Sequence, residues 1–366
     1  MELYITTVVL SFILSIIGVN AKAAILKKCC LLLIVLLCSI MPGLRDISVG
    51  TDSPMYANFL LVDRSYHDWL VSGIAIEPGF VFLIKIYQFF GFKDYSYFFF
   101  GTAILFNFLV ISSIFKLSPS PTLSLISFLT FSTIYFSHFN VLRSSLALAF
   151  FIYSIPYLLN KQYKKCYILI FISIFFHISA LIFLFMPSAY KYLRTKTALV
   201  IFISFVFMGV YSASSTILSL IGSIIGTTKY DSYSTESDIG GGFFAIYFLL
   251  MLICLISLSN NKLKNSDLYI FSVYMIFLAT LTWFCIIFLG LRYEGPGRVV
   301  VYFYLGSIFI FPNLLQIFSP TSRYPLYFLL FFLFAMMAYY VFVLKGVYGV
   351  FPYKINSYLD GLFEFF

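Results

Sequence analysis

Charge is scarce in this chain. Lysine, arginine, aspartate and glutamate make up 10% of its 366 residues, where a soluble globular chain carries about 25%. With 62% of residues hydrophobic, a water-soluble domain of this length could not keep enough polar surface toward solvent. Soluble enzymes, nucleic-acid binders and disordered tails are excluded on that ground. Histidine is scarcer still. Three residues are too few for a His/Cys cluster, so neither a metal nor a cofactor is expected. The six cysteines (Cys29, Cys30, Cys38, Cys166, Cys254 and Cys285) lie in or beside apolar runs, and no disulfide framework follows from them. There is no Walker A motif, which removes ATP as a driver. No paired carboxylates sit in mid-span, which disfavours an ion-coupled transporter.

What the chain has in abundance is uninterrupted apolar sequence. Spans lie near 3–19, 29–44, 95–115, 121–140, 145–159, 198–225, 242–259, 268–290, 298–319 and 325–344. Several exceed the 18 residues or so that cross a bilayer. A β-barrel would alternate over ten-residue strands instead. The expected fold is therefore all-α, a polytopic helical membrane protein of about 11–13 transmembrane segments. It reads as a single integral membrane domain over 1–366, with outer loops 45–77 and 226–241 packed on it. The first segment, Leu3 to Val19, reads as a retained helix, having no basic leader and no small-residue cleavage site. The stretch 78–92 is short, carries Lys85 and Gln88, and reads as an interfacial or re-entrant helix. The aromatic tail 345–366 reads as a surface segment, with Asp360 and Glu364 arguing against tight contact with anionic lipid.

The net charge of +9 is explained by topology, because cytoplasmic loops collect lysine and arginine. Four clusters lack any acid: Lys22, Lys27 and Lys28; Lys161, Lys164 and Lys165; Lys191, Arg194 and Lys196; Lys262 and Lys264. Placing all four in the cytoplasm puts the acids Asp46, Asp52, Asp63, Asp68 and Glu77 outside, with Asp231, Glu236 and Asp238 of the second loop. It also puts both ends of 166–190 on one side. That stretch, interrupted by His177 and Pro187, must then break and return within a protein-lined cavity, or else cross once against the positive-inside rule.

Ionisable residues at membrane depth are costly and mark function more often than chance allows. Arg45-Asp46 and Gly50-Thr51-Asp52-Ser53-Pro54-Met55-Tyr56 open the outer loop. They form either a turn capped by Asp52 and Ser53, with Pro54 starting a helix, or a sugar site. Glu77, before Pro78-Gly79-Phe80, is a helix cap or a general base. Arg143 lies between two apolar runs and pairs with a carboxylate or a lipid phosphate. His177 is a hydrogen-bonded core residue or a cavity-facing one. His138 reads as interfacial. In Arg292-Tyr293-Glu294-Gly295-Pro296-Gly297-Arg298, two arginines flank one acid, which either shapes the loop or leaves two guanidinium groups for a diphosphate.

These motifs resemble the EpsG-like branch of the Wzy-type O-antigen and exopolysaccharide polymerases. The resemblance rests on Gly50-Thr51-Asp52 with Tyr56, on Glu77-Pro78-Gly79-Phe80, on Arg143-Ser144-Ser145-Leu146-Ala147, and on Phe176-His177-Ile178-Ser179-Ala180-Leu181. Order and spacing match over roughly 40–185. One departure is Arg143-Ser144, where relatives often have Arg-Gln, so this chain lacks any contact that such a Gln would make. The family implies a GT-C-like membrane glycosyltransferase with broken or re-entrant helices around an outward-facing cavity. Such a protein moves a growing glycan, with inversion and without metal, from undecaprenyl diphosphate to a lipid-linked repeat unit. Asp52, Glu77, His177 and Arg143 are then the expected catalytic residues. Arg45, Tyr56, Arg292, Tyr293, Glu294 and Arg298 are the expected substrate contacts. The implied partners are an undecaprenyl-diphosphate-linked oligosaccharide, membrane lipid, a flippase and a chain-length regulator, with no nucleic acid. The implied place is a bacterial inner membrane, with the site on the periplasmic or outer face. The competing readings are a lipid-linked oligosaccharide flippase or transporter, and an outer-face ligase or acyltransferase.

Overall fold

The computed structural model describes residues 1–62, 76–92, 94–206, 241–288 and 298–356. It is 82% helical, with no strand among the described residues, so the all-α membrane fold expected from the apolar blocks is the one observed. Contacts divide the chain into two compact units: Met1–Leu184 with the segment from Ser319 onward, and Phe185–Phe318. Eight helical segments among the described residues, with Pro121–Asn140 and Val300–Ile317 each counted as one although interrupted, are long and apolar enough to cross a bilayer, and four shorter apolar helices accompany them.

The first unit holds α1 (Glu2–Asn20), α2 (Ala24–Gly43), α3 (Ser53–Leu61), α4 (Pro78–Phe89), α5 (Tyr95–Leu117), α6 (Pro121–Leu129), α7 (Ile134–Asn140), α8 (Leu142–Leu159) and α9 (Tyr163–Phe176). The second unit holds α10 (Met186–Leu193), α11 (Thr197–Val206), α12 (Gly242–Ser257), α13 (Asp267–Phe288) and α14 (Leu305–Leu314). The chain then re-enters the first unit as α15 (Pro320–Ala338). At 12 residues, α4 is about 18 Å long, too short to span, as its sequence predicts. The apolar run 121–140 is not one helix. Thr133 takes a left-handed φ of 59° and separates α6 from α7. The expected break at His177 is present. There α9 ends at Phe176, His177 is extended, and Ile178–Phe185 continue as a 3-10 helix.

Small residues and internal hydrogen bonds let the first unit's helices close without water. A side chain on Gly43 would meet the Phe100 Cα at 2.8 Å. Asn107 Nδ2 donates to Ser39 Oγ at 3.1 Å between α5 and α2, and Tyr4 OH donates to the Leu129 carbonyl at 3.0 Å. The two ends of this unit differ in charge. Lys116 and Lys165 both lie over the Tyr157 ring, at 4.9 and 5.7 Å, which brings the chain after α5 and after α8 to one cationic end. The opposite helix ends carry Asp46, Asp94 and Glu77. The tail over 349–356 is held to the chain after α2. Asp46 N donates to the Lys354 carbonyl and Asn356 N to the Leu44 carbonyl, each at 2.9 Å. Tyr353 OH donates to the Met41 carbonyl at 3.0 Å.

In the second unit α13 is the central helix, with α12 and α14 against it. Trp283 Nε1 donates to Tyr304 OH at 2.9 Å, and Tyr247 stacks on Tyr304 at 4.5 Å. Gly306 lets α14 approach α13, since a Cβ there would lie 2.7 Å from the Ser272 carbonyl oxygen. Gly306→Leu should therefore lower stability by about 1–3 kcal/mol through overpacking. Gly101→Ala, inside α5 where a Cβ meets nothing within 4 Å, should not lower it. Thermal unfolding in detergent compares the two, and equal midpoints would contradict the packing argument.

Candidate functional site

Pro78 occupies the first turn of α4, where its missing N–H costs nothing. Glu77 then sits at the cap position, extended at φ −71° and ψ 145°, yet its side chain makes no capping bond. Its carboxylate points elsewhere. Arg143 Nη1 donates to Glu77 Oε2 at 2.8 Å, and His177 Nδ1 pairs with Glu77 Oε1 at 2.6 Å. The Ile178 backbone N–H donates to the same Oε1 at 3.2 Å. One carboxylate thus joins three points that lie 66, 100 and 101 residues away from it along the chain.

Local sequence explains the convergence. Ile76, Phe80 and Leu142, the apolar neighbours of Glu77 and Arg143, are buried in one cluster with Tyr56, Phe59, Phe98 and Phe99. Burying those side chains leaves Glu77 and Arg143 at the cluster's edge, 13% and 20% exposed. Gly79 supplies the other contact. A Cβ there would lie 2.7 Å from the Phe175 carbonyl oxygen, so only glycine lets α4 press against the last turn of α9. That contact sets Glu77 beside His177, whose extended backbone turns the ring out of the helix at the point where α9 stops. The His177 side chain is 27% exposed. With Nδ1 toward the carboxylate, Nε2 is the ring atom left to accept a proton.

Electrostatics fix the state of the carboxylate. Burial alone would raise the Glu77 carboxyl, but the His177 hydrogen bond, the field of that ring and the Arg143 guanidinium outweigh it and hold the group at about 2. Glu77 is therefore an anion at any physiological pH. It is a poor proton acceptor and a good orienting group.

The Gly50-Thr51-Asp52 turn is pinned nearby. Gly50 has φ +87°, and a Cβ there would strike the Phe139 carbonyl oxygen at 2.4 Å, so conformation and space both require glycine. Asp52 N donates to Asn140 Oδ1 at 2.8 Å, and Thr51 Oγ1 hydrogen-bonds the same oxygen. Asp52 occupies the cap position of α3, and Pro54 lies in its first turn, but the Asp52 side chain makes no cap bond. The carboxylate is partly exposed and close enough to Tyr56 to influence it. Tyr56 is 3% exposed, packs edge-on against Phe80 at 5.6 Å, and hydrogen-bonds Arg143. Its ring faces are spent on the core, so it supports Arg143 rather than offering a stacking surface for a sugar.

Arg45 has no exposed surface. Its Nε donates to Ser53 Oγ at 3.0 Å, its Nη1 donates to the Pro42 carbonyl, and its guanidinium lies over Phe99 at 4.0 Å and Phe139 at 5.5 Å. This is a brace for the loop after α2. His138 is not interfacial: it is fully buried and stacks on Phe106 at 4.4 Å. Arg298 is exposed and belongs to the second unit. Arg292, Tyr293 and Glu294 lie outside the described residues, as does most of 226–241. The structure therefore brings together Glu77, Arg143, His177 and Tyr56. It sets Asp52 at the border of that group and leaves Arg45 in the core. Sequence reasoning passed over Asn140 and the packing role of Gly79. An asparagine three residues before an intramembrane arginine was the available signal for the first.

The pH dependence follows from the depressed carboxyl. Stability contributed by Glu77 is fully present above its ordinary value of 4.5 and is lost as pH falls toward about 2. Glu77→Gln should lower stability at neutral pH by roughly 1–3 kcal/mol, because Arg143 loses its counter-charge. The gap to wild type should close between pH 4.5 and pH 2. A gap that does not change with pH in unfolding scans would contradict this account.

The EpsG family model matches residues 28–355. Neither the curated proteins nor the solved structures gave a match. The matched stretch runs through all the helices that build the Glu77 site, and this chain belongs to the EpsG family, a membership that supports a glycan polymerase-like membrane protein in general.

Proposed function

We propose that the chain is a polysaccharide polymerase of the O-antigen or exopolysaccharide kind. It would transfer a growing glycan from undecaprenyl diphosphate to the end sugar of a lipid-linked repeat unit, with inversion and without metal. The observation that carries this reading is the single Glu77 carboxylate shared by Arg143 and His177 at a half-open edge of the first unit. Glu77 accepts the hydrogen bond from His177 Nδ1–H and orients the ring. Nε2 then removes the proton of an acceptor hydroxyl as its oxygen attacks the anomeric carbon. The bond from that carbon to the diphosphate oxygen breaks, and the leaving diphosphate keeps the electron pair. Arg143 faces the growing negative charge. A guanidinium is a five-donor group, so the contact of Nη1 with Glu77 is compatible with phosphate oxygens on the same side chain. In a low-dielectric site such a fixed cation does the work of a divalent ion at the leaving group. Asp52 is placed to hold acceptor hydroxyls.

The charge distribution supports an outward site. Lys116 and Lys165 mark one end of the first unit, and Glu77, Asp46 and Asp94 lie at other helix ends. If the lysines face the cytoplasm, as the positive-inside rule expects, the Glu77 site faces outward, and this supports the reading of an outer-face site in a bacterial inner membrane.

The test is surface glycan from a strain lacking the chain, complemented with variants. Arg143→Ala should abolish long polymer while single repeat units still form on their lipid carrier. His177→Ala should slow polymer formation by about 10²–10⁴-fold, the range for losing a general base. A normal ladder from Arg143→Ala would overturn the proposal. Repeat units trapped on the inner face would indicate a flippase, and long lipid-linked chains that are never transferred onward would indicate a ligase.

A further inference from the structure

The second unit carries a groove that the transferase reading does not use. A cavity of about 670 Å³ lies between α11, α12 and α13, within the range of roughly 300–1,000 Å³ usual for ligand sites. Its walls are ordered. Two walls start at Leu258 and Ile270, near the helix ends, and run to Met251 and Phe277, each seven residues away along its own helix, while the third has Arg194 in the turn before α11 and Ile201 within that helix. Seven residues of helix rise about 10 Å. The deep end is wholly apolar and continues into a second apolar cavity of about 200 Å³, which shares Met251 and Phe277 and adds Phe205 and Phe244.

The mouth is basic. Arg194 and Lys264 both line it. Residues 186–206 and 258–270 contain Lys191, Arg194, Lys196, Lys262 and Lys264 against one acid, Asp267. Asp267 pairs with Arg194 at 2.9 Å, with both side chains about half exposed. That pair draws the 191–196 and 262–264 clusters to the same end of the unit and leaves an excess of positive charge there. Lys264 is exposed beside the opening.

We infer that this groove binds an anionic phospholipid, its phosphate headgroup at Arg194 and Lys264 and an acyl chain along α11, α12 and α13. Charge complementarity selects the headgroup, and the apolar depth selects the chain. A free phosphate ester would meet the cations but leave the deep end unfilled. The positive-inside rule assigns this mouth to the cytoplasmic leaflet, where such lipids reside. The inference is independent of the Glu77 chemistry.

The purified full chain in detergent tests it, using phosphatidylglycerol with a fluorescent acyl tail, and phosphatidylcholine with the same tail. Wild type should bind phosphatidylglycerol at least about tenfold more tightly. Lys264→Glu should remove that preference. Leu255→Trp, at a half-exposed position inside the groove, should weaken both lipids. Lys161→Glu, a lysine of the first unit, should change neither. Equal affinity for the two lipids would overturn the inference. So would displacement of the probe by glycerol phosphate at the same concentration as by lipid, or an effect of Lys161→Glu equal to that of Lys264→Glu.

Discussion

An ionised carboxylate at the edge of a bilayer must be compensated, and in this chain the compensation of Glu77 organises the first unit around it. Arg143 and His177 supply the opposing charge and the hydrogen bond. Each arrives on a different element, α8 and the end of α9, while Glu77 itself precedes α4. A partly buried ion pair seldom gains much over a well-packed apolar alternative. Stability is therefore a weak reason for placing three polar groups in apolar surroundings, and a reaction that needs an oriented imidazole beside a fixed guanidinium is a better one.

Two backbone breaks make the arrangement possible. A continuous helix through 163–185 would direct the His177 ring along its own axis, sharing a face with Ser173 and Leu181. Ending α9 at Phe176 and extending His177 frees the ring to meet Glu77. Likewise α6 stops at Leu129, and Thr133, left-handed at the cap of α7, redirects the chain so that α7 can present Asn140 and the Phe139 carbonyl to the Gly50 turn. Non-helical backbone at membrane depth survives where protein satisfies its polar groups. Here the Ser132 side chain accepts from Ile134 N and the Glu77 carboxylate from Ile178 N.

Hydropathy made the helices legible because an apolar block has few other fates. The break at His177 was legible too, from a charge argument about the lysines on either side. The site was legible in part. Glu77, Arg143 and His177 stood out because each is polar where polarity is costly, but nothing in the spacing 77, 143, 177 shows that they touch. Arg45 and His138 show why the rest was misread. A polar residue near the end of an apolar run looks the same whether it reaches solvent or turns inward, and only packing decides. Arg45 turns inward because Phe99 and Phe139 offer it two ring faces. Gly79 was quoted only as part of the motif after Glu77, when its role is the close approach to the carbonyl of Phe175 beneath it.

The arginines and lysines of this chain thus divide by what surrounds them. Arg45 gives up solvent entirely and is held by a carbonyl, a hydroxyl and two rings, so it braces the fold and can offer a substrate nothing. Arg143 keeps one-fifth of its surface and shares its charge with a single carboxylate, which fixes its direction without neutralising its capacity for a further anion. Arg194 keeps nearly half of its surface and Lys264 is exposed, at the mouth of an apolar groove whose one acid cannot balance them. The residue type is the same or nearly so, and the degree of burial together with the count of nearby acids decides whether the charge supports structure, chemistry or binding. By that criterion the Glu77 cluster is the place in the first unit where a cation is both oriented and accessible, which is what the proposed lipid-borne diphosphate donor requires.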